Sequence, residues 1–454
     1  MSAILAALSA NTWAAIAVAL GGFVLLFAGL QVYARASGAS PETTRKLFHT
    51  GSGALTLAFP FLFHDTWPVL LLTGASALLI AAVKFVPSLH ARYGTVANRV
   101  ERTTLGELYF PVSVALLFWL ARGSTPLLFV IPVLMLTLAD ATGAVVGSRY
   151  GMTKYHGASK SLEGSIAFVV VAFVCVHVPL LLWSSVGRAE SLLIATTLAL
   201  LVMLLEGSAW RGLDNLFIPI GGYFLLRAYL PLDAAALAPR LLVTVALVAV
   251  IVVARQRTTL EDDSLVAGAF LCYVAWAVMG WHWLIGPIAI VTGYRWLSPR
   301  TADNSRRIHG VPAVLAVWAP ALGWLTLARR HDDASLLFPY TVVFGAHLAM
   351  FGVSRLASQF HDRAVMTLFW RAVAIGSATV LVPYLVATGG ATPIVVAAGA
   401  VAAIAVGSVA FVATQPDIRN TPQSPGRWLA QAGAAVVASS MAWLIALFVP
   451  QWLP

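Results

Sequence analysis

The sequence predicts an all-α, polytopic integral membrane protein with about 14–16 transmembrane helices. Three observations carry this. Of the 454 residues, 60% are hydrophobic and 10% are charged, whereas a soluble domain carries roughly 25% charged residues. The apolar residues gather into runs near the length of about 20 that crosses a bilayer, separated by short polar loops. Strand-like alternation is absent, which argues against a transmembrane β-barrel.

Taken in order, the first span is Trp13–Tyr33, behind a short tail with no basic region, so it reads as an uncleaved helix rather than a signal peptide. The second follows Arg45-Lys46-Leu47-Phe48-His49 and runs to about Phe63. The third is Trp67–Val86, the fourth begins near Tyr109, the fifth ends at Asp140 and the sixth begins near Glu163. Leu192–Leu205, the short Leu216–Leu230 and Leu241–Ala254 come next. Seven more follow near Leu265–Met279, Trp283–Trp296, Val311–Leu327, Leu336–Val353, Val365–Val386, Pro393–Thr414 and Trp428–Phe448. Cys175 and Cys272 lie inside apolar runs and suggest neither a disulfide framework nor a metal site.

The net charge of +10 follows the loops and does not point to nucleic acid. If the Arg45-Lys46 loop is inside, about 22 Lys and Arg fall on inside loops and about 6 outside. The loops Lys84–Arg102, Asp140–Ser165, Arg211–Asn215, Arg255–Asp263 and Arg300–His309 are then cytoplasmic and the N-terminus is outside. The Ala- and Arg-rich composition hints at a bacterial plasma membrane. A composition shift near Ala254 divides 1–254 from 255–454, and no repeat relates the two parts.

The most informative stretch is Asp140–Ser165, one polar run between apolar segments. Gly143, Gly147 and Gly151 stand at four-residue spacing, a pattern that lets a backbone approach phosphate or forms a small-residue packing seam. The spacing matches neither a P-loop nor a dinucleotide fingerprint. Arg149, Lys154 and Lys160 supply cations. Asp140 is an acidic residue ending an apolar helix, expensive at membrane depth unless it has a function. Lys160 and Ser161 precede a helix starting near Glu163, whose N-terminus favours an anion; capping by Ser161 and Glu163 is the plainer reading. Gly164 and Ser165 complete the run.

Further constellations are predicted on the same side: Arg45, Lys46 and His49; Arg102-Thr103-Thr104-Leu105-Gly106-Glu107; Glu206; and Arg211-Gly212-Leu213-Asp214-Asn215. Asp140, Glu107, Glu206 and Asp214 are carboxylates suited to magnesium, which favours oxygen ligands and nucleotide phosphates.

At these residues the chain resembles the CTP-dependent polyprenol kinases (dolichol, phytol and farnesol kinases) within the cytidylyltransferase-like membrane superfamily. The matching residues are Asp140, Gly143, Gly147, Gly151, Lys154 and Lys160-Ser161-Leu162-Glu163-Gly164-Ser165; Arg45, Lys46 and His49; Gly106, Glu107 and Pro111; and Gly212-Leu213-Asp214-Asn215 with Pro219. Gly143 departs from the Ala more usual there. The resemblance covers about Glu42 to Leu230, which makes 1–254 a polyprenol-kinase-like domain and leaves 255–454 as an additional multi-helix membrane domain. It implies CTP as phosphoryl donor, a divalent metal, Mg²⁺, and an isoprenoid alcohol of the bilayer as acceptor. Lys160 and the glycine run would hold the triphosphate, with Arg45, Lys46, Arg149, Lys154, Ser161 and Ser165 alongside. Asp140 and Asp214, with Glu107 as a further carboxylate, would hold the metal. Glu107, Glu163 and His49 stand as equal candidates for the base. A homo-oligomer is compatible with the sequence.

The Asp-Arg-x-Asp ending of the phosphatidate cytidylyltransferases is absent, which favours a kinase over a synthase of CDP-activated lipids. A lipid transporter, suggested by the many spans, calls for matched broken helices in two repeats, and none is found. Beyond Arg255, the residues Asp262-Asp263, His282, Arg306-Arg307, His309, His347, Arg355, His361, Asp362 and Arg363 read either as loop charge and snorkelling ends or as part of a second lipid-handling module.

Overall fold

The computed structural model describes residues 8–39, 41–86, 88, 105–155, 160–209, 212–255, 258–297, 309–420 and 424–448. Outside them fall most of the predicted loop after Lys84, the Arg102-Thr103-Thr104 opening, Arg211, Gln256-Arg257 and the Arg300–Arg307 segment with Arg306-Arg307. The chain divides into two compact units, Met1–Ala249 and Val250–Pro454.

Among the described residues the regular structure is helical, and twelve helices are long and apolar enough to cross a membrane. The first unit runs α1 Thr12–Ser37, α2 Pro41–Thr56, α3 Phe59–Leu62, α4 Thr66–Phe85, α5 Gly106–Ala121, α6 Leu127–Tyr150, α7 Leu162–Trp183, α8 Arg188–Ser208, α9 Asp214–Tyr229 and all but the last turn of α10 Ala234–Ala254. The second runs α11 Asp262–Met279, α12 Ile285–Leu297, α13 Val311–His331, α14 Leu337–Gln359, α15 Val365–Ala387, α16 Ile394–Ala413 and α17 Pro425–Phe448.

Each of the sixteen predicted segments is helical, but four are shorter than a full span. These are α2, α5 and α9, with 16 residues each, and α12, with 13. At 1.5 Å per residue a 16-residue helix covers about 24 Å, short of the roughly 30 Å hydrocarbon layer. Three of the four carry the charged motifs near their N-terminal ends. Starting a helix late in the bilayer brings such charges inward without a long unpaired backbone.

The core of the first unit is the N-terminal half of α6, whose residues Leu127–Val133 are all buried. It packs against α2, α5, α7 and α9. Pro132, which has no N–H to donate, stands just ahead of a π-helical turn at Met135–Ala139, closed by the Asp140 N–H donating to the Met135 carbonyl. Carbonyls in and before this turn are taken by side chains. The Thr137 hydroxyl donates to Val133 at 2.8 Å, and the Cys175 thiol donates to Leu134 at 3.7 Å. The His49 ring lies beside the backbone of Leu136. Gly53 of α2 lies flat on the turn, where a Cβ would overlap Thr137.

The second unit is built around α14, which is almost wholly buried among α12, α13, α15, α16 and α17. In both units large apolar side chains such as Leu25, Leu78, Trp119, Trp183, Leu242 and Val386 face outward. That suits a chain whose solvent on those faces is lipid.

Candidate active site

The helix predicted to end at Asp140 continues to Tyr150. It extends ten residues further, about 15 Å along its axis. The segment read as a glycine-rich loop is thus helical over its first eleven residues. The sequence reading ended the span at Asp140 and left the glycines as either a phosphate-approaching backbone or a packing seam; the structure has the seam, at Gly143 and Gly147. The helix persists because neighbouring α7 fits the glycines. A Cβ at Gly143 would lie 3.1 Å from the Gly164 carbonyl oxygen, and one at Gly147 would lie 3.1 Å from the Ser161 hydroxyl. A Cβ at Gly164 would stand 2.8 Å from the Gly143 carbonyl and 3.1 Å from the Gly147 Cα. Gly143, Gly147 and Gly164 therefore form a small-residue seam between α6 and α7.

After Gly151 the chain turns back on itself. Lys154 and Ser161 form an antiparallel bridge, with the Tyr155 N–H donating to the Lys160 carbonyl and the Leu162 N–H to the Thr153 carbonyl, both at 2.9 Å. Ser161, 2% exposed, caps α7 by accepting from the Gly164 N–H at 3.3 Å. Glu163 accepts from the Thr153 N–H at 3.0 Å, and Ser165 accepts from the Tyr155 hydroxyl at 2.9 Å. Lys154 donates to the Gly147 carbonyl at 3.2 Å, at the end of α6. Arg149 is exposed and lies 5.4 Å from the Tyr150 ring centre. These residues fix the hairpin, and the hairpin fixes Lys160.

Lys160 reaches across to α8. Its ammonium pairs with Glu206 Oε1 at 2.7 Å and also donates to the Glu206 backbone carbonyl, with both side chains mostly buried. Burial alone would lower the Lys160 pKa; Glu206, Asp214 and Asp140 outweigh it and raise the group above its ordinary value. The ammonium is therefore charged throughout the physiological range.

Asp140 interacts electrostatically with Asp214, Glu206, Lys160 and Arg45. Charges from α2, α6, the hairpin, α8 and α9 thus converge, although they lie up to 169 residues apart in sequence, from Arg45 to Asp214. Gly212 adopts φ +88° directly against Gly106, and the Asn215 amide donates to the Gly106 carbonyl at 2.9 Å. This lock between α5 and α9 sets where Asp214 stands. His49 senses Asp214 and Arg45, and its ring sits edge-on to Phe110 at 4.9 Å. Its Nε2 is buried and has no hydrogen-bond partner.

The predicted residues separate into groups. Asp140, Asp214, Lys160, Arg45 and His49 come together. Glu107 instead pairs with Lys84 at 3.4 Å and Arg45 at 3.9 Å, and Glu163 braces the hairpin. Lys46 is half-buried on α2. The reading of Glu206 as a metal carboxylate did not anticipate its pairing with Lys160. The available signal was an acid near the end of an otherwise apolar helix. The roles of Lys84 and Asn215 carried no such signal.

No three His, Cys, Asp or Glu side chains among the described residues stand together as a ready-made metal site. Mg²⁺ commonly takes one or two carboxylates and completes its shell with phosphate oxygens and water. Asp140 and Asp214, two interacting carboxylates, fit that donor set.

The chain is similar to a phytol kinase from Synechocystis sp., with 31% identity over 216 residues covering 46% of this chain and 88% of the relative. It is also similar to a dolichol kinase from Saccharomyces cerevisiae, with 33% identity over 117 residues, 24% of this chain and 22% of that protein. No family model matches, and no solved structure matches.

Proposed function

The chain belongs to the phytol and polyprenol kinase-like family, and from that premise we propose that it transfers the γ-phosphoryl group of CTP to the hydroxyl of a bilayer-held isoprenoid alcohol, at the cytoplasmic face of a bacterial plasma membrane. The observation that carries this reading is the convergence of Asp140, Asp214, Lys160 and Arg45, with His49 beside them.

In the reaction the alcohol oxygen forms a bond to the γ-phosphorus. The bond from that phosphorus to the β–γ bridging oxygen breaks, CDP leaves with the electron pair, and the hydroxyl proton passes to a base. Such chemistry depends chiefly on positioning and charge stabilisation. Lys160, held charged and steered by Glu206, faces the triphosphate, with Arg45 as a second cation. Mg²⁺, held by Asp140 and Asp214, would neutralise charge on the phosphate oxygens. His49 is the favoured base: its Nε2 is buried and unpartnered, whereas Glu107 is held by Lys84 and Arg45 and Glu163 by the Thr153 N–H. The contact with Leu136 and the Phe110 ring orient the imidazole. The alcohol's chain would lie among the helices, its hydroxyl toward this cluster.

The test uses full-length protein in detergent with Mg²⁺, [γ-³²P]CTP and a panel of phytol, geranylgeraniol, farnesol and a long polyprenol. Label is expected in an organic-soluble product, and is expected to be lost in Asp140→Ala and Lys160→Ala. Pyrophosphate release with phosphatidic acid, with no labelled alcohol, would reassign the chain to the cytidylyltransferases.

A further inference from the structure

Helix α2 carries four polar side chains at positions 45, 49, 52 and 56. Spacings of four, three and four residues keep them on one helix face. Arg45 and His49 belong to the charged cluster already described. Thr56, at the other end of the stripe, turns its hydroxyl back to the Gly53 carbonyl at 2.8 Å. Between them stands Ser52, 4% exposed, whose Oγ is buried with no hydrogen-bond partner.

That state is unusual for a serine inside a helix. Ser and Thr hydroxyls there commonly donate to a carbonyl three or four residues back. The first unit follows this habit elsewhere. Thr73 donates to Val69 at 2.7 Å, Ser113 to Phe110 at 2.8 Å, Thr137 to Val133 at 2.8 Å and Thr197 to Leu193 at 2.7 Å. Ser52 has the Phe48 carbonyl at the same offset and leaves it alone. A buried hydroxyl without a partner is costly, and such groups call for a specific explanation.

The surroundings of Ser52 point to one. Its neighbour Gly53 lies flat on Thr137 of the π turn, and the His49 ring lies beside the Leu136 backbone of the same turn. Three residues separate Ser52 from His49, about 4.5 Å along the axis, on the side away from Arg45. The His49 Nε2 is also buried and unpartnered. The stripe therefore presents, in order, a cation, an imidazole nitrogen and a neutral hydroxyl. Phe110 closes on the imidazole edge-on at 4.9 Å and supplies apolar surface beside it. A phosphate, a reacting hydroxyl and a hydrocarbon chain call for partners in that same order. A serine hydroxyl both donates and accepts, so it matches a neutral alcohol headgroup without adding charge in the hydrocarbon region.

We propose that Ser52 binds the hydroxyl of the acceptor alcohol, donating to its oxygen while the alcohol's own O–H donates to His49 Nε2. This assignment rests on the kinase reading above and adds recognition of the acceptor headgroup to it. One lone pair of the alcohol oxygen then remains to form the bond to the γ-phosphorus. The alcohol proton passes to His49, and Ser52 keeps its own. The hydrocarbon chain continues along α2 beyond Ser52.

The test is initial-rate kinetics of the full-length protein in detergent with Mg²⁺ and [γ-³²P]CTP, varying farnesol and CTP separately. Ser52→Ala is expected to raise the KM for farnesol about fivefold or more, the loss of one hydrogen bond, with the KM for CTP unchanged. Phytol and geranylgeraniol should show the same factor, because the lost contact is to the shared headgroup. The melting temperature should stay level or rise, since the substitution removes an unpaired buried hydroxyl. Ser52→Cys, of similar size but a weak donor, should raise the KM for farnesol by a smaller factor. A change below about twofold in both folded variants, an equal rise in the KM for CTP, or a factor that varies with the chain would overturn the assignment while leaving the kinase reading in place. No labelled alcohol from the wild-type protein would remove that reading and the assignment with it.

Discussion

The Lys160–Glu206 pair gives the most quantitative handle on the site. At 2.7 Å, the gross Coulomb attraction is about 6 kcal/mol at an effective dielectric of roughly 20. Desolvating two ions returns several kcal/mol of this. The hydrogen bond from Lys160 to the Glu206 backbone carbonyl survives truncation of the Glu206 side chain, which lowers the loss further. The expected coupling in a double-mutant cycle of Lys160→Ala and Glu206→Ala is therefore about 2–3 kcal/mol. The assay is thermal and denaturant unfolding in detergent, followed by tryptophan fluorescence. Its pH dependence carries a sign. The Lys160 pKa is raised by folding, so the linked stability is fully present below the unfolded lysine value, about 10.4, and is lost as pH rises through the higher folded value. Glu206→Gln should move that alkaline loss to lower pH. A coupling below about 0.5 kcal/mol, or an unchanged alkaline limb in Glu206→Gln, would refute the argument that Glu206 holds Lys160 charged.

Three further outcomes are expected. Asp214→Asn and His49→Gln should each lower kcat by about 10²-fold or more in the CTP assay, the scale on which a positioned charge or base acts, with little change in melting temperature. Gly164→Ala should destabilise by about 1–3 kcal/mol, since its Cβ would meet backbone atoms of Gly143 and Gly147 that cannot rotate away. Gly21→Ala, with no atom within 4 Å, should be neutral or stabilising; both are read by thermal unfolding. His309, whose pKa falls from 6.5 to about 4 on burial, should cause a loss of stability of about 3 kcal/mol as pH falls from about 6.5 to 4, levelling off below. His309→Gln should flatten that acid limb in an unfolding titration.

The helices were largely legible because lipid imposes its own rule: a backbone in hydrocarbon must pair internally, so apolar runs become helices. What local pattern could not supply was the fate of charges and glycines inside those runs. Asp140, Gly143 and Gly147 look like an interruption until Gly164 is set against them. Their helical state is decided by a neighbour 17 to 21 residues away. The motif residues Lys160, Asp214 and Arg45 were legible by type. Their convergence was not, since it rests on the hairpin bridge and on the Gly106–Gly212 contact. Ser161 and Glu163 show the reverse case. The plainer capping reading describes what the Ser161 hydroxyl touches, whereas Glu163 reaches out of its helix to the Thr153 N–H and braces the hairpin.

The π turn at Met135–Ala139 divides α6 into two rods that differ in phase. One additional residue in a turn advances everything beyond it by about 100° around the helix. The buried apolar face of Leu127–Val133 and the face bearing Asp140, Gly143 and Gly147 are therefore set on independent clocks. Deleting a single residue from the turn would couple the two, swinging Asp140 away from Asp214 and the glycine track off α7 in one step.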